Sequence, residues 1–164
     1  MKHLYMIAGP MGVGKTAVSR ELQKRLPNCV FLDGDWCWDS SPFLVTEETK
    51  AVVLDNICHM LNNFLRCSAY ENIVFCWVMH EQEIIDAILE RLDAEGAEVT
   101  VCALVCKEET LIERLRRDIE AGKRSEDVIS RAVERLARYP ELDVMKLDTT
   151  EMTPVQTAEK IING

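Results

Sequence analysis

The chain has 164 residues, 48% of them hydrophobic and 29% charged, the balance of one folded domain and not of a disordered polymer. A formal net charge of -9 disfavours nucleic acid and anionic membrane surfaces as partners, since both recruit basic faces. No apolar stretch approaches a membrane span, and Met1-Lys2-His3 followed by five apolar residues is too short for a secretion-signal core.

The run Leu4-Tyr5-Met6-Ile7-Ala8 reads as a buried strand and leads directly into Gly9-Pro10-Met11-Gly12-Val13-Gly14-Lys15-Thr16. That octet fills every fixed position of the phosphate-binding pattern Gly-x-x-x-x-Gly-Lys-Ser/Thr. Glycines at 9, 12 and 14 let several backbone N–H groups close on a polyphosphate without a side chain in the way. A helix over about 15–26, with Val18, Leu22 and Leu26 on one face and Pro27 as its stop, points its positive end at the same anion. Lys15 then meets the β- and γ-phosphates as a point charge, and the Thr16 hydroxyl is a ligand for Mg²⁺. The spacing predicts a nucleoside triphosphate held by Gly9, Gly12, Val13, Gly14, Lys15, Thr16 and Ala17.

Val30-Phe31-Leu32 is a short strand that stops at Asp33-Gly34-Asp35, and residues 36–46 are irregular. Thr46-Glu47-Glu48-Thr49 has the look of a helix cap, with Thr where Glu or Gln is usual, and Val53, Ile57, Leu61 and Phe64 line one side of the helix beyond. Ile73 to Val78 is an unbroken apolar run, as in a central parallel strand covered on both faces. Ile85, Ile88, Leu89 and Leu92 mark a helix that ends near Gly96, and Val99 to Val105 is the next strand. Glu108 to about Ala121 reads as helix, broken at Gly122; Val128, Ile129, Ala132, Val133 and Leu136 mark another before Pro140. Val144 to Leu147 is a final strand, and Thr153-Pro154 opens the last helix, with Val155, Ala158, Ile161 and Ile162 inward.

This alternation predicts an α/β fold of three layers, with parallel strands, right-handed crossovers and ligands at the carboxyl ends of the strands. Residues 1–164 are expected to form a single domain, with a substrate-binding insert at about 36–67 and a lid region at about 108–138. The seven cysteines are odd in number, sit mostly inside apolar runs and include no Cys-x-x-Cys pair. They read as reduced, mostly buried thiols of a cytoplasmic protein, with Cys37 set apart by its place beside the proposed site.

Phosphoryl transfer to a hydroxyl needs a carboxylate at the acceptor and an acid near Mg²⁺. The end of the third strand, Trp77-Val78-Met79-His80, supplies no acid before Glu81, so the duty falls to Asp33 and Asp35. Residues two apart at a strand end point the same way, and Gly34 between them keeps the path open.

The phosphate loop followed by Phe31-Leu32-Asp33-Gly34-Asp35 resembles the small-molecule kinases among the P-loop nucleoside-monophosphate-kinase-like proteins. Gluconate, shikimate and adenylylsulfate kinases and chloramphenicol phosphotransferase belong to that group. The resemblance implies a P-loop NTPase fold with a five-stranded sheet in the order 2-3-1-4-5, with ATP and Mg²⁺. It also implies Asp33 near the metal and the acceptor hydroxyl, and Asp35 holding substrate; spacing does not decide which of them takes the proton. Between the fourth and fifth strands lie Arg114, Arg116, Arg117, Lys123 and Arg124, where such kinases carry lid arginines. By similarity Arg114 or Arg117 contacts the nucleotide, Arg124 sits near the lid tip, and Leu147-Asp148-Thr149-Thr150 flanks the adenine.

Trp36, Trp38, Phe43, Trp77, Met79 and His80 fall where the acceptor should lie, with Asp35, Trp36, Trp77 and His80 as its expected contacts. Lys50 and Arg66 are the only cations of the first insert, which points to a neutral, partly apolar hydroxyl compound such as a nucleoside, sugar-like metabolite or antibiotic-like molecule. The reading is an ATP-dependent phosphotransferase, monomer or homodimer. A nucleotide-regulated binding protein with weak hydrolysis and a nucleoside monophosphate kinase are its rivals.

Overall fold

The computed structural model describes every residue from Met1 to Gly164. Five strands, β1 (Lys2–Ala8), β2 (Cys29–Asp33), β3 (Asn72–Trp77), β4 (Ala97–Val105) and β5 (Met145–Asp148), form one sheet in the order β2-β3-β1-β4-β5. Every pairing is parallel, as the expected topology requires. Six helices cover it: α1 (Lys15–Arg25), α2 (Glu47–Arg66), α3 (Gln82–Arg91), α4 (Glu108–Glu120), α5 (Val128–Leu136) and α6 (Pro154–Asn163). The expected insert and lid regions carry α2 and the α4–α5 pair.

The apolar runs of the central strands are explained by two cores, because alternate side chains leave a strand on opposite faces. Leu4, Met6 and Ala8 of β1 join Ile73, Phe75 and Trp77 of β3 against α2 and α3. Tyr5 and Ile7 join Val74, Cys76, Cys102 and Leu104 against α1, α4, α5 and α6. The register sets Ala8 of β1 beside Trp77 of β3 and Ala103 of β4, and Asp33 of β2 beside Cys76. The carboxyl ends of the strands are thereby gathered along one edge, where the loops build the site.

Local signals decide where the elements stop. The unusual cap of α2 works because the Thr49 hydroxyl accepts from the Thr46 N–H at 2.8 Å while its own N–H donates to Thr46 Oγ1 at 3.1 Å. The expected run of α3 toward Gly96 is corrected: the helix ends at Arg91. Asn62 of α2 is the cause, donating to the Arg91 carbonyl at 2.9 Å and accepting from the Asp93 N–H at 2.7 Å. All seven cysteines are free thiols, and Cys58, Cys76, Cys102 and Cys106 are buried. No helix is long and apolar enough to cross a membrane.

Leu61 lies at the centre of the contact between α2 and the sheet, fully buried. Leu61→Ala should cost about 2–5 kcal/mol of unfolding free energy, measured as a lower midpoint in urea at unchanged slope.

Candidate active site

The phosphate loop is shaped by its own backbone and by α4. Val13 N–H donates to the Pro10 carbonyl at 3.3 Å, and the Lys15 ammonium reaches the same carbonyl at 3.0 Å. Gly12 has φ 85°, and a Cβ there would lie 2.5 Å from Leu115 Cδ2, so only glycine lets α4 pack onto the loop. Gly14 caps α1 with no side-chain hydrogen bond, which leaves the first N–H groups of the helix free to face an anion. Burial lowers the Lys15 pKa, with Cys76, Asp35 and Asp33 drawing it back up.

A cavity of about 590 Å³ opens over this loop. Lys15, Arg114, Arg117, Lys123 and Arg124 line it against Asp33, Asp35 and Asp118, a surplus of positive charge that suits a polyphosphate. Arg114 is fixed in place: its guanidinium donates to the Val13 carbonyl at 3.1 Å, the Thr149 carbonyl at 2.8 Å and Thr149 Oγ1 at 3.2 Å. It ties α4 to the loop and to the turn after β5. Arg117 is exposed and paired with Glu113 at 2.7 Å, and Arg124 is paired with Asp118 at 3.1 Å. Thr149, Met152, Pro154 and Thr157 complete the lining on the β5 side.

The two acids of the β2 end differ. Asp33 is buried; one carboxylate oxygen accepts from the Thr16 hydroxyl at 3.0 Å and the other from the Asp35 N–H at 3.0 Å. Asp35 stands at the start of a turn of 3₁₀ helix, Gly34–Cys37, with a carboxyl pKa raised by burial and then by the charge of Asp33. Lys15, Arg124 and the Trp77 indole N–H oppose that rise. No trio of His, Cys, Asp or Glu side chains comes together in the chain. Thr16 and Asp33, two adjacent hard oxygen donors beside a phosphate cavity, nevertheless fit Mg²⁺, which takes its remaining ligands from phosphates and water.

A second cavity, of about 460 Å³, lies on the other side of Lys15. Trp38, Phe43 and Trp77 form an aromatic wall, with ring centroids 5.2 Å apart for Trp38 and Phe43 and 6.5 Å for Trp38 and Trp77. His80, Lys50, Arg131 and Arg135 supply its polar lining together with Glu83. Met11, Lys15 and Asp35 belong to both cavities, so the two open onto each other across the loop lysine and the second acid.

A sequence profile described as AAA domain matches residues 6–135, well over half of the chain. The chain belongs to the AAA domain family.

A search of curated proteins found no match. Solved structures similar to this AAA domain include the tunicamycin resistance protein of Deinococcus radiodurans, with a TM-score of 0.72 at 20% identity over 99% of this chain and 95% of that one. A gluconokinase from Sinorhizobium meliloti 1021 gives 0.70 at 17% identity, covering 98% and 90%. A shikimate kinase from Acinetobacter baumannii in complex with shikimate gives 0.66 at 21%, covering 99% and 92%. At these identities the likeness is one of fold, and it is the fold of the P-loop kinases named by the resemblance.

Most residues singled out in the sequence gather at the two cavities of this AAA domain, and several readings are corrected. Trp36 lines neither cavity: the 3₁₀ turn swings it outward, half exposed, edge-on to Phe31 and 5.5 Å from the Arg20 guanidinium. Trp38, two residues on, lines the second cavity. Met79 is buried in the core below the site, and Cys37 packs beside Met60 and lines neither cavity. Gly34 does not keep a ligand path open; it makes room for Trp77, whose Cγ would lie 2.5 Å from a Cβ at position 34. The expectation of a cation-poor acceptor site rested on Lys50 and Arg66. Arg66 lies away from the cavity beside Asp93, whereas α5 brings Arg131 and Arg135 to it.

Gly34→Ala keeps an accessible backbone and fails on space alone. It should cost about 1–3 kcal/mol and shift tryptophan emission as the Trp77 ring is displaced; unchanged stability and emission would contradict the packing described.

Proposed function

We propose that this AAA domain is an ATP-dependent phosphotransferase that moves the γ-phosphoryl group to a hydroxyl of a small molecule. The observation that carries the reading is the junction of the two cavities at Lys15 and Asp35. A triphosphate laid on the loop would present its end to Lys15, and a hydroxyl compound against Trp38 and Trp77 would meet the same point from the other side. Transfer in line between two bound partners asks for such an arrangement more than for covalent chemistry by the protein. The kinase-like fold neighbours support the same class of reaction.

In this reading the loop amides and Lys15 stabilise charge on the transferred group, and Arg114 with the lid cations Arg117, Lys123 and Arg124 closes over the phosphates. Thr16 and Asp33 would hold Mg²⁺, which would supply charge neutralisation for the phosphoryl group being transferred. The choice between the acids follows from their partners. Both Asp33 oxygens are engaged by Thr16 and Asp35, and Asp33 lines only the nucleotide cavity. Asp35 lines both, so it is the base that receives the acceptor proton. The aromatic wall selects an acceptor with a flat or apolar body.

Asp35→Asn should lower kcat by about 10²–10⁴-fold while calorimetry shows ATP binding retained. An unchanged rate would contradict Asp35 as the base, whereas ATP binding without turnover in the parent chain would favour a nucleotide-regulated binding protein. The base acts ionised, so kcat/KM should fall as pH drops through the Asp35 pKa. Because that pKa is raised from 3.8, the acid limb should lie at higher pH than an ordinary aspartate gives; a limb at or below 3.8 would contradict the assignment.

A further inference from the structure

The aromatic wall of the second cavity is graded from core to solvent. Trp77 is 9% exposed and its indole N–H reaches the Asp35 carboxyl, Trp38 is half-buried, and Phe43 is 59% exposed. Their rings follow one another at 6.5 and 5.2 Å, so the wall leads from the second acid out to the mouth of the cavity. Val45 lines the same cavity and is 55% exposed. This rim is tied down: the Leu44 carbonyl, between the two, accepts from the Thr49 hydroxyl at 2.9 Å, at the start of α2. Lys50 and Arg131 also line the cavity but are paired, with Glu47 at 3.0 Å and Asp127 at 3.1 Å. A wet apolar rim continuous with a buried aromatic floor is the surface that a ligand longer than its reacting end would cover.

We infer that the acceptor is an elongated amphiphile: its hydroxyl end stands at Asp35, its body lies along Trp77 and Trp38, and an apolar arm emerges over Phe43 and Val45. Those two side chains offer the arm apolar area and no hydrogen bond, so a polar arm of equal length gains nothing there. That the molecule is a phosphoryl acceptor rests on the phosphotransferase reading; the arm's place is tested without turnover.

The probes are benzyl alcohol, its 4-ethyl, 4-butyl and 4-hexyl derivatives, and a benzyl alcohol whose 4-position carries an ethylene glycol arm as long as the hexyl. They are titrated into the full chain carrying Trp36→Phe, so that the change in emission reports Trp38 and Trp77. Affinity should climb along the alkyl series, the hexyl compound binding at least about tenfold tighter than benzyl alcohol, while the glycol arm adds nothing. Val45→Thr, which keeps the shape and adds a hydroxyl, should remove part of that ratio, and Phe43→Ser combined with it should flatten the series. Equal affinities along the series, a glycol arm as good as the hexyl, no change in emission with any alcohol, or an unaltered ratio in the double variant would each overturn the inference. A parent dimer that sedimentation shows becoming monomeric in the double variant would give the rim to a second copy and overturn it as well. ADP release from Mg-ATP, measured in parallel, separates the two readings. A climb in affinity without ADP release would remove phosphotransfer and keep the arm site. ADP release at equal kcat/KM for benzyl alcohol and the hexyl compound would remove the arm site and keep phosphotransfer.

Discussion

The structure turns on a lysine ammonium held inside a glycine-lined loop. Lys15 has one protein partner at hydrogen-bond distance, the Pro10 carbonyl, and burial disfavours its charge. A cation so placed is worth its desolvation only if an anion is delivered to it, and the free N–H groups at the start of α1 point to the same spot. The surrounding architecture serves that placement. The β1 strand is buried on both faces and fixes the start of the loop, α4 packs its Leu115 onto Gly12, and Arg114 binds the loop to the turn after β5.

Two acids at the end of the neighbouring strand divide the remaining work by geometry. The Asp33 carboxylate is spent on Thr16 and on the Asp35 N–H, which leaves Asp35 as the group exposed to both cavities. The 3₁₀ turn between them sets this division, because it carries Asp35 out of the strand direction and tips Trp36 away while Trp38 comes in.

What can be read from the residues follows from how the chain is wired. The phosphate loop and the Asp-Gly-Asp run are contiguous, so their chemistry is spelled out within a few positions, and the sheet order follows from the alternation of strands and helices. The wall of the second cavity is assembled from the 3₁₀ turn and loop after β2, α2, β3, α3 and α5, and contiguity is silent about such meetings. Arg131 and Arg135 go unmentioned in the sequence reading, and they line the cavity only because α5 packs with Val128 and Ala132 inward. The i,i+4 spacing of two arginines flanking that apolar stripe is the available signal. Nearness to the acidic pair misplaces Trp36, because the chain there has already entered a 3₁₀ turn that carries the ring outward. Met152, Pro154 and Thr157 escape notice because α6 joins the cavity only through its first turn. The role of Gly34 depends on Trp77, which belongs to a different strand, and nothing local announces it.

The central claim is that Lys15 and its loop receive a triphosphate. Calorimetric titration of the full chain with ATP and Mg²⁺, set beside the Lys15→Met variant, tests it most directly. The expected result is saturable heat with the parent chain and binding about a hundredfold weaker or worse in the variant, because the ammonium's charge-assisted hydrogen bonds to the phosphates are gone. No heat with the parent chain, or equal binding by the variant, would contradict the account.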